Sequence, residues 1–196
     1  MKPSPRLNQL IACRYNGRVP FTIRDSQPSD FDALWRIDQA CFPAGISYSR
    51  TELRLYMRRR ASFTLVADGG AAQEAVGRTS KTPEKKIAEK DSTVVPGDTN
   101  GIAGFIVAEA GARARGHIIT IDVMVDARRT GVGSLLLRAA EDRLISAECR
   151  SVELETAVDN VSALPFYKRH GYSVVKTFPR YYSNGVDALV LEKTLV

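Results

Sequence analysis

The chain contains few of the residues that form disulfides or bind metals, with three cysteines and two histidines among 196 residues. Cys13, Cys41 and Cys149 are odd in number and far apart, form no CxxC pair and have no histidine nearby. This pattern excludes a disulfide framework and predicts no metal site. Because free thiols persist in reducing compartments, it favours a cytoplasmic protein.

Long apolar runs are also missing from the sequence. The apolar run Leu10–Cys13 is too short for a secretion signal, and no stretch is long enough to cross a membrane. The hydrophobic fraction of 44% and the charged fraction of 26% are typical of globular domains. We therefore expect one domain over residues 20–196, preceded by a basic arm over residues 1–19.

The net charge of +6 is consistent with nucleic acid, a membrane surface or a phosphate-rich ligand as partner. The arginines collect in the arm, in residues 50–60 and around residues 113–129, without a basic stripe interleaved with aromatics. Arg54 and Arg58, four residues apart, predict one solvated helix face. Direct binding of nucleic acid or of a membrane is therefore not expected.

Apolar periodicity predicts the element order β-α-α-β-β-β-α-β-α-β-β, which is typical of a mixed α/β (α+β) fold. We expect one mostly antiparallel sheet with helices on both faces. Between Asp68 and Asn100 large apolar residues are almost absent, which predicts a flexible insertion. Four helices are predicted. The first has Phe31, Leu34, Trp35 and Ile37 on its buried face, and the second is Thr51–Arg60, capped by Ser49. The third starts at Gly131, and the fourth is roughly Val161–His170, ended by Gly171. The predicted strands are Phe21–Arg24, Ser62–Ala67, Ile102–Glu109, His117–Val123, Ser151–Thr156, Ser173–Phe178 and Ala188–Leu195.

A short glycine-containing turn, Arg128 to Gly133, lies between an apolar strand and an apolar helix. Gly131 and Gly133 allow the backbone to approach a ligand, and the amide groups of a helix start bind anions. Arg128 and Arg129 add charged donors suited to a pyrophosphate. The turn is neither a P-loop nor a GxGxxG motif. Alone, it fits an ordinary tight turn with solvated arginines equally well.

A second motif decides between these interpretations. The pattern Arg128-x-x-Gly131-x-Gly133, followed by Asn160-x-x-Ala163-x-x-Phe166-Tyr167-x-x-x-Gly171-Tyr172, resembles the GCN5-related N-acetyltransferase (GNAT) superfamily. Cys41-Phe42-Pro43, Leu154-Glu155, Arg180-Tyr181-Tyr182, Gly185 and Asp187-Ala188 are similar to the RimI branch, which acetylates ribosomal protein N-termini. The resemblance covers most of residues 21–195 and is strong from Ile119 onward. The arm, the insertion and Ala127 depart from the family pattern.

The resemblance implies acetyl-coenzyme A as cosubstrate and no metal. Backbone groups of β-strand residues before the turn would pair with the pantetheine, and the turn would hold the pyrophosphate. Asn160 would contact the pantetheine and also serves as a helix N-cap. The implied cofactor-binding residues are Ile121, Asp122, Val123, Arg128, Arg129, Thr130, Gly131, Val132, Gly133, Ser134, Asn160 and Tyr167.

The resemblance also implies catalytic roles. Glu155 would be the general base, acting through a water molecule, with Asp122 as the alternative, and Tyr167 would donate a proton to the departing thiolate. Tyr181 and Tyr182 would line the acceptor channel. Without the resemblance, Glu153 and Glu155 fit a solvated strand face and Tyr167 fits a core position. His117 and His170 lie outside the motifs and are interpreted as structural.

The acceptor is expected to be a protein N-terminus, including that of a ribosomal protein. An α-amino group titrates near pH 7.7–8.0, whereas a lysine amine titrates near 10.4, so a modest base such as a carboxylate suits the former. Two alternatives stay open: the same reaction on a small amine such as an amino acid, polyamine or antibiotic, and a non-catalytic coenzyme A-binding module. The oligomeric state is not predicted.

Overall fold

The computed structural model describes residues 21–69 and 99–195. Four α-helices and one seven-stranded sheet account for most of these residues. The basic arm and most of the expected 68–100 insertion lie outside the described residues. The strands are β1 Thr22–Asp25, β2 Ser62–Asp68, β3 Ile102–Ala110, β4 Arg115–Val123, β5 Ser151–Ala157, β6 Ser173–Phe178 and β7 Ala188–Thr194; the helices are α1 Phe31–Cys41, α2 Arg50–Met57, α3 Val132–Ser146 and α4 Ala163–Arg169.

The predicted fold class is confirmed. The strand order is β1-β2-β3-β4-β5-β7-β6, and every neighbouring pair is antiparallel except β4 and β5. Helices α1 and α2 contribute to one buried cluster, whereas α3 belongs to a second cluster that includes residues of β4 and β5. Within the described ranges, no helix is long and apolar enough to cross a membrane.

Two predicted helix boundaries are wrong. Helix α2 ends at Met57 and not at Arg60, and the three arginines that follow are exposed, so no buried apolar face extends the helix. Helix α4 begins at Ala163 and not at Val161, whose side chain is 82% exposed. The predicted cap of α2 is confirmed: the Ser49 hydroxyl accepts from the Glu52 amide at 3.2 Å, and the Glu52 carboxylate accepts from the Ser49 amide at 2.9 Å.

Helix α3 packs closely on the sheet because β4 carries a glycine beneath it. A Cβ atom at Gly116 would lie 2.7 Å from Leu144 Cδ1, which is too close for any side chain. Leu136, Leu137, Ala140 and Leu144 are fully buried along one side of α3, as the apolar period predicts. This packing places the N-terminus of α3 beside the end of β4.

A buried polar network anchors the end of α4 to the sheet. Gly171 adopts φ +86°, and the Gly171 and Tyr172 amides donate to the carbonyls of Lys168 and Tyr167 at 3.1 Å each. The Tyr172 hydroxyl donates to Glu141 on α3 at 2.9 Å, and Lys193 on β7 donates to the same carboxylate at 2.7 Å. Tyr172 therefore ties α4, α3 and β7 together.

Tyr172→Phe removes this buried hydroxyl and leaves Glu141 with one partner fewer. Hydrogen bonds to charged groups contribute about 1.5–3 kcal/mol, so we expect the free energy of unfolding in urea to fall by about that amount. Tyr181→Phe is the matched control, since Tyr181 is 51% exposed and its hydroxyl makes no hydrogen bond to any described residue. Equal losses in the two variants would contradict the structural role of Tyr172.

Candidate active site

The site is organised by the separation of two parallel strands. Strands β4 and β5 pair only from Arg115 to Ile118 and from Ser151 to Leu154, and beyond these residues they diverge. Strand β4 carries an extra residue at this point, because Val107 and Ala108 of β3 pair with Thr120 and Ile118. Such a bulge bends a strand and increases its twist. A cavity of about 900 Å³ is lined by both strands where they diverge.

The free edge of β4 supports the predicted pairing with an extended ligand. Ile121, Asp122 and Val123 all line the cavity and have no β5 partner on that side. Unpaired backbone amide and carbonyl groups on a strand edge can bind an extended chain as an added strand. The Val123 carbonyl is already engaged, accepting from Arg128 Nε at 3.0 Å.

The Arg128–Gly133 turn leads directly into α3 at one end of the cavity. Gly131 is the N-cap residue with φ +97°, and nothing lies within 4 Å of a Cβ atom built there, so the backbone conformation explains the glycine. Arg129 is also left-handed, at φ +63°. The Thr130 hydroxyl donates to the Ala127 carbonyl at 2.6 Å and closes the turn.

The first amide groups of α3 have no partner within the helix and carry the positive end of its dipole. The turn residues that line the cavity are Arg128, Arg129, Thr130, Gly131, Gly133 and Ser134. Val132, predicted to contact the cofactor, is fully buried and does not line the cavity. The Ser134 hydroxyl lies 3.0 Å from His170 Nε2, which connects the turn to the end of α4. The arrangement is suited to a pyrophosphate.

Asn160 lies at the opposite wall, before α4. Its side-chain oxygen accepts from the Ala163 amide at 3.3 Å and from the Ser162 hydroxyl at 3.0 Å. It therefore does the capping that the sequence predicts, although Ser162 is the residue preceding the helix. With its oxygen occupied, the Asn160 amide nitrogen is the group left to donate to a ligand in the cavity.

Tyr167 is almost fully buried, yet its side chain lines the cavity. Its ring packs edge-on against Phe166 and Tyr172, with centroids 5.2 and 5.5 Å away. Burial raises the pKa of the Tyr167 phenol, and the negative charge of Asp122 adds to the effect. The phenol thus keeps its proton at neutral pH, as a general acid must.

Glu155 lines the cavity from β5 and is held by His117. The sequence alone predicts only a structural role for this histidine. His117 Nε2 lies 2.7 Å from Glu155 Oε2, and His117 Nδ1 lies 3.8 Å from Glu109. Burial acts to lower the pKa of His117, but the bond to Glu155 and the nearby carboxylates outweigh it and raise the pKa. The neighbouring Glu153 instead pairs with Arg115 at 3.1 Å.

Asp122, the alternative base, is enclosed in the protein. Its carboxyl group is buried, with Oδ1 accepting from the Thr120 hydroxyl at 3.0 Å and Oδ2 without a partner among the described residues. Burial, and then the charge of Asp38, raise the pKa of Asp122 well above its usual value. Glu155 is less buried and has a histidine partner, so its carboxylate is the better placed of the two to reach a ligand in the cavity.

Two further loops line the cavity, and RimI-like sequence motifs fall on both of them, Cys41-Phe42-Pro43 after α1 and Arg180-Tyr181-Tyr182 after β6. Tyr182 lines the cavity, whereas Tyr181 lies outside it and is half exposed. The loop between α1 and α2 contributes Phe42, Pro43, Ile46 and Tyr48. No spacing rule identifies Ile46 and Tyr48, because their place in the site depends on how α1 packs against β4.

The buried aspartate Asp38 on α1 holds this loop in place. Asp38 Oδ2 accepts from the Tyr48 amide and from Gln39 Nε2, each at 2.9 Å. The Tyr48 hydroxyl donates to the Ile119 carbonyl at 3.4 Å, at the point where β4 and β5 diverge. Over residues 21–69 and 99–195, no three histidine, cysteine or acidic side chains are grouped as metal ligands.

Comparisons with known proteins agree with this architecture. Residues 31–172 match the acetyltransferase (GNAT) family. An N-alpha-acetyltransferase of Sulfurisphaera tokodaii is 37% identical over 178 residues, which cover 89% of this chain and 93% of that protein. An uncharacterised N-acetyltransferase of Methanocaldococcus jannaschii is 40% identical over 55% of this chain, and N-alpha-acetyltransferase 30 of Homo sapiens is 41% identical over 40%. These two alignments span 64% and 22% of the relatives' own lengths.

Solved structures show the same fold. Ard1 from Thermoplasma volcanium superposes with a TM-score of 0.67 at 24% identity, over 90% of this chain and 98% of that one. The NatC complex bound to Gag peptide and CoA superposes with a TM-score of 0.65 at 21% identity, over 90% of this chain and 99% of that one. The family match over residues 31–172, which include the diverging strands and the turn at the start of α3, defines an acetyl-transferring class of enzyme. The chain belongs to the acetyltransferase (GNAT) family, which uses acetyl-coenzyme A.

Gly131→Glu tests the anion-binding turn. A carboxylate beside bound phosphates costs several kcal/mol, so the dissociation constant for coenzyme A, measured by calorimetry, should rise more than about a hundredfold. Gly185→Glu is the matched control, since Gly185 also has positive φ, at +82°, and open space around it. It imposes similar backbone strain without touching the turn. A similar loss of affinity in both variants would refute the role of the turn.

His117→Gln tests the His117–Glu155 pair through the pH dependence of stability. The pKa of His117 is raised in the folded protein, so its protonation stabilises the fold below the unfolded value of about 6.5, and this is lost as pH rises through the folded pKa. The difference in unfolding free energy between wild type and variant should therefore be larger at pH 5.5 than at pH 9.

His170→Gln supplies the control of opposite sign. Burial lowers the pKa of His170 in the folded protein, so protonation below pH 6.5 favours the unfolded chain. Relative to this variant, the wild type should lose stability towards pH 5.5. The pair assignment fails if the His117→Gln difference is independent of pH or grows towards pH 9.

Proposed function

We propose that this chain transfers the acetyl group of acetyl-coenzyme A to the N-terminal α-amino group of a protein. The Sulfurisphaera tokodaii relative, which aligns with most of the chain, is an N-alpha-acetyltransferase by name. The NatC complex, which shares the fold, is bound to a peptide together with coenzyme A. A ribosomal protein N-terminus, the RimI kind of acceptor, falls within the proposal because Glu155 and Tyr182, two of the RimI-like residues, line the cavity.

The observation that carries the proposal is a contact between two loops on the acceptor side. The Ser183 hydroxyl, between β6 and β7, donates to the Gly45 carbonyl, between α1 and α2, at 3.0 Å. A Cβ atom at Gly45 would lie 3.1 Å from Asn184 Cβ, so the loops touch closely. A cavity bridged in this way admits a thin chain end more readily than a side chain on a folded surface. The bridge therefore supports a terminal amine as acceptor.

The described residues fit the cosubstrate that the family uses. The unpaired edge of β4 suits an extended pantetheine, and the free amides of α3 with Arg128 and Arg129 suit a pyrophosphate. The Asn160 amide nitrogen can donate to the pantetheine from the opposite wall. When bound, acetyl-coenzyme A supplies the activated thioester.

Glu155 and His117 are the groups that can remove the amine proton. A terminal ammonium titrates near pH 7.7–8.0, so a carboxylate acting directly or through one water is a sufficient base. Glu155 Oε2 is bonded to His117, which offers the proton a route away from the cavity. The freed amine lone pair attacks the thioester carbonyl and the carbon–sulfur bond then breaks. The attacking nitrogen gives up its second proton along the same route to solvent, which leaves the neutral amide.

Tyr167 is the group that can complete the reaction. As the carbon–sulfur bond breaks, the phenol transfers its proton to the departing thiolate, and the phenolate recovers a proton from solvent. The raised pKa of Tyr167 keeps the phenol protonated before this step.

An N-terminal peptide library tests the acceptor class. Peptides with a free N-terminus, including ribosomal protein termini, should gain one acetyl group by mass spectrometry, whereas N-blocked peptides with internal lysines should gain none. Turnover of amino acids, polyamines or antibiotics with inert peptides would assign the chain to small amines. Binding of coenzyme A without any turnover would indicate a non-catalytic module.

Tyr167→Phe tests the chemistry within the same assay. The ring packing is retained and only the proton donor is lost, so kcat should fall by at least about a hundredfold while coenzyme A affinity changes little. Tyr181→Phe, outside the cavity, is the matched control and should keep its kcat. Unchanged turnover in Tyr167→Phe would remove the general acid from the proposal.

A further inference from the structure

Two rows of aromatic side chains lead outward from the acceptor end of the cavity. Tyr48 and Tyr182 line the cavity itself, one on each loop. Tyr56 of α2 lies edge-on to Tyr48, and Tyr181 lies edge-on to Tyr182, each with ring centroids 5.1 Å apart. Each inner tyrosine is therefore followed by an outer one, and both inner tyrosines line the cavity that Glu155 also lines.

Each row ends on a positive charge. In the first row the Arg59 guanidinium lies 4.3 Å from the centre of the Tyr56 ring. In the second row Phe178 stacks on Tyr181 at 5.9 Å, and Lys176 Nζ lies 4.1 Å from the centre of the Phe178 ring. Aromatic faces hold cations in place in this way. The mouth of the cavity is thus flanked by cations on both walls.

These cations are only partly neutralised. Arg59 pairs with Glu109 at 3.2 Å, but none of the described carboxylates forms an ion pair with Lys176, Arg58 or Arg60. The segment from Ser49 to Ala61 contains five arginines and one glutamate. The mouth therefore has an excess of positive charge.

The inner end of the channel carries the opposite sign. The charge of Glu155 is felt at Tyr181, the outer tyrosine of the second row. Burial, and then this charge, raise the pKa of Tyr181. A chain in the channel would thus pass from a negative interior to a positive mouth. The amino end of a peptide suits the interior, and carboxylates further along suit the mouth.

We propose that the channel selects acceptor chains with acidic residues a few positions after the N-terminus, bound by Lys176 and by the arginines at the end of α2. This inference rests on the proposed function, since it assumes an N-terminal amine at Glu155. The steps along the Tyr182 row measure 5.1, 5.9 and 4.1 Å. An extended chain advances about 3.4 Å per residue, so a chain that follows these steps reaches Lys176 near its fourth or fifth residue.

The positions of the cations favour a peptide over RNA as the partner. Lys176 is on β6 and Arg59 follows α2, and each cation lies at the end of a separate aromatic row and not in one continuous basic face. A chain leaving the cavity passes between them. RNA bound across the outside of α2 would not need the aromatic row that leads to Lys176.

Matched peptides test the inference. One peptide carries glutamates at its fourth and fifth positions and the other carries glutamines there, with all else identical. Exposed ion pairs contribute up to about 1 kcal/mol each, so kcat/KM should favour the acidic peptide by about three- to tenfold at low salt. The difference should lie in KM and should shrink in 0.5 M salt, where screening is strong.

Charge reversal locates the effect. In Lys176→Glu, and further in Lys176→Glu combined with Arg59→Glu, the preference should vanish or invert while the neutral peptide keeps its kcat. Arg150→Glu is the matched control, because Arg150 is exposed at the opposite end of β5 from Glu155 and should retain the preference.

Three results would overturn the inference: equal kcat/KM for the two peptides, a preference that survives in both reversed variants, or inhibition by an RNA oligonucleotide with no effect of peptide charge. Each leaves the proposed function standing, because the neutral peptide is still acetylated. Failure of both peptides to gain an acetyl group would instead refute the proposed function itself.

Discussion

Strands β4 and β5 pair for four residues and then diverge, and the candidate site depends on that divergence. If the strands stayed paired, the backbone groups of Ile121 to Val123 would be satisfied within the sheet and no cavity would exist. The extra residue in β4, at Ile119, accompanies the divergence. Gly116 lets α3 sit close against β4, so that the free amides of its first turn lie at one end of the gap. Backbone geometry thus prepares two ligand contacts before any side chain is considered.

Side chains then divide the chemical roles according to burial. The carboxyl groups of Asp122 and Glu155 both line the cavity, but they differ in their partners. Asp122 is enclosed with one hydroxyl partner, whereas Glu155 faces a histidine that can share its charge. Burial raises the pKa of both the Asp122 carboxyl and the Tyr167 phenol, because a charge in that environment is poorly solvated. The proposed base and the proposed acid therefore lie on different elements of the same cavity.

The outer part of the cavity follows from packing between elements that are far apart in sequence. The loop after α1 is held by Asp38, the loop after β6 touches it through Ser183, and both are needed to form the acceptor channel. The proposed preference for a terminal amine depends on this contact. The proposed preference for acidic acceptors depends on where the aromatic rows place Arg59 and Lys176.

Periodicity and turn chemistry in the sequence were enough to determine the element order, the fold class, and the turn from Arg128 to Gly133, because these depend on local backbone preferences and on motif spacing. The predicted end of α2 and the predicted start of α4 were wrong because Arg58 and Val161 are exposed and lie outside the helices. The exposure of a residue cannot be read from a sequence pattern. Only the tertiary structure could pair His117 with Glu155, enclose the Asp122 carboxyl group, and add Tyr48 to the site. Each of these depends on strand register or on burial, which are set by contacts between residues tens of positions apart.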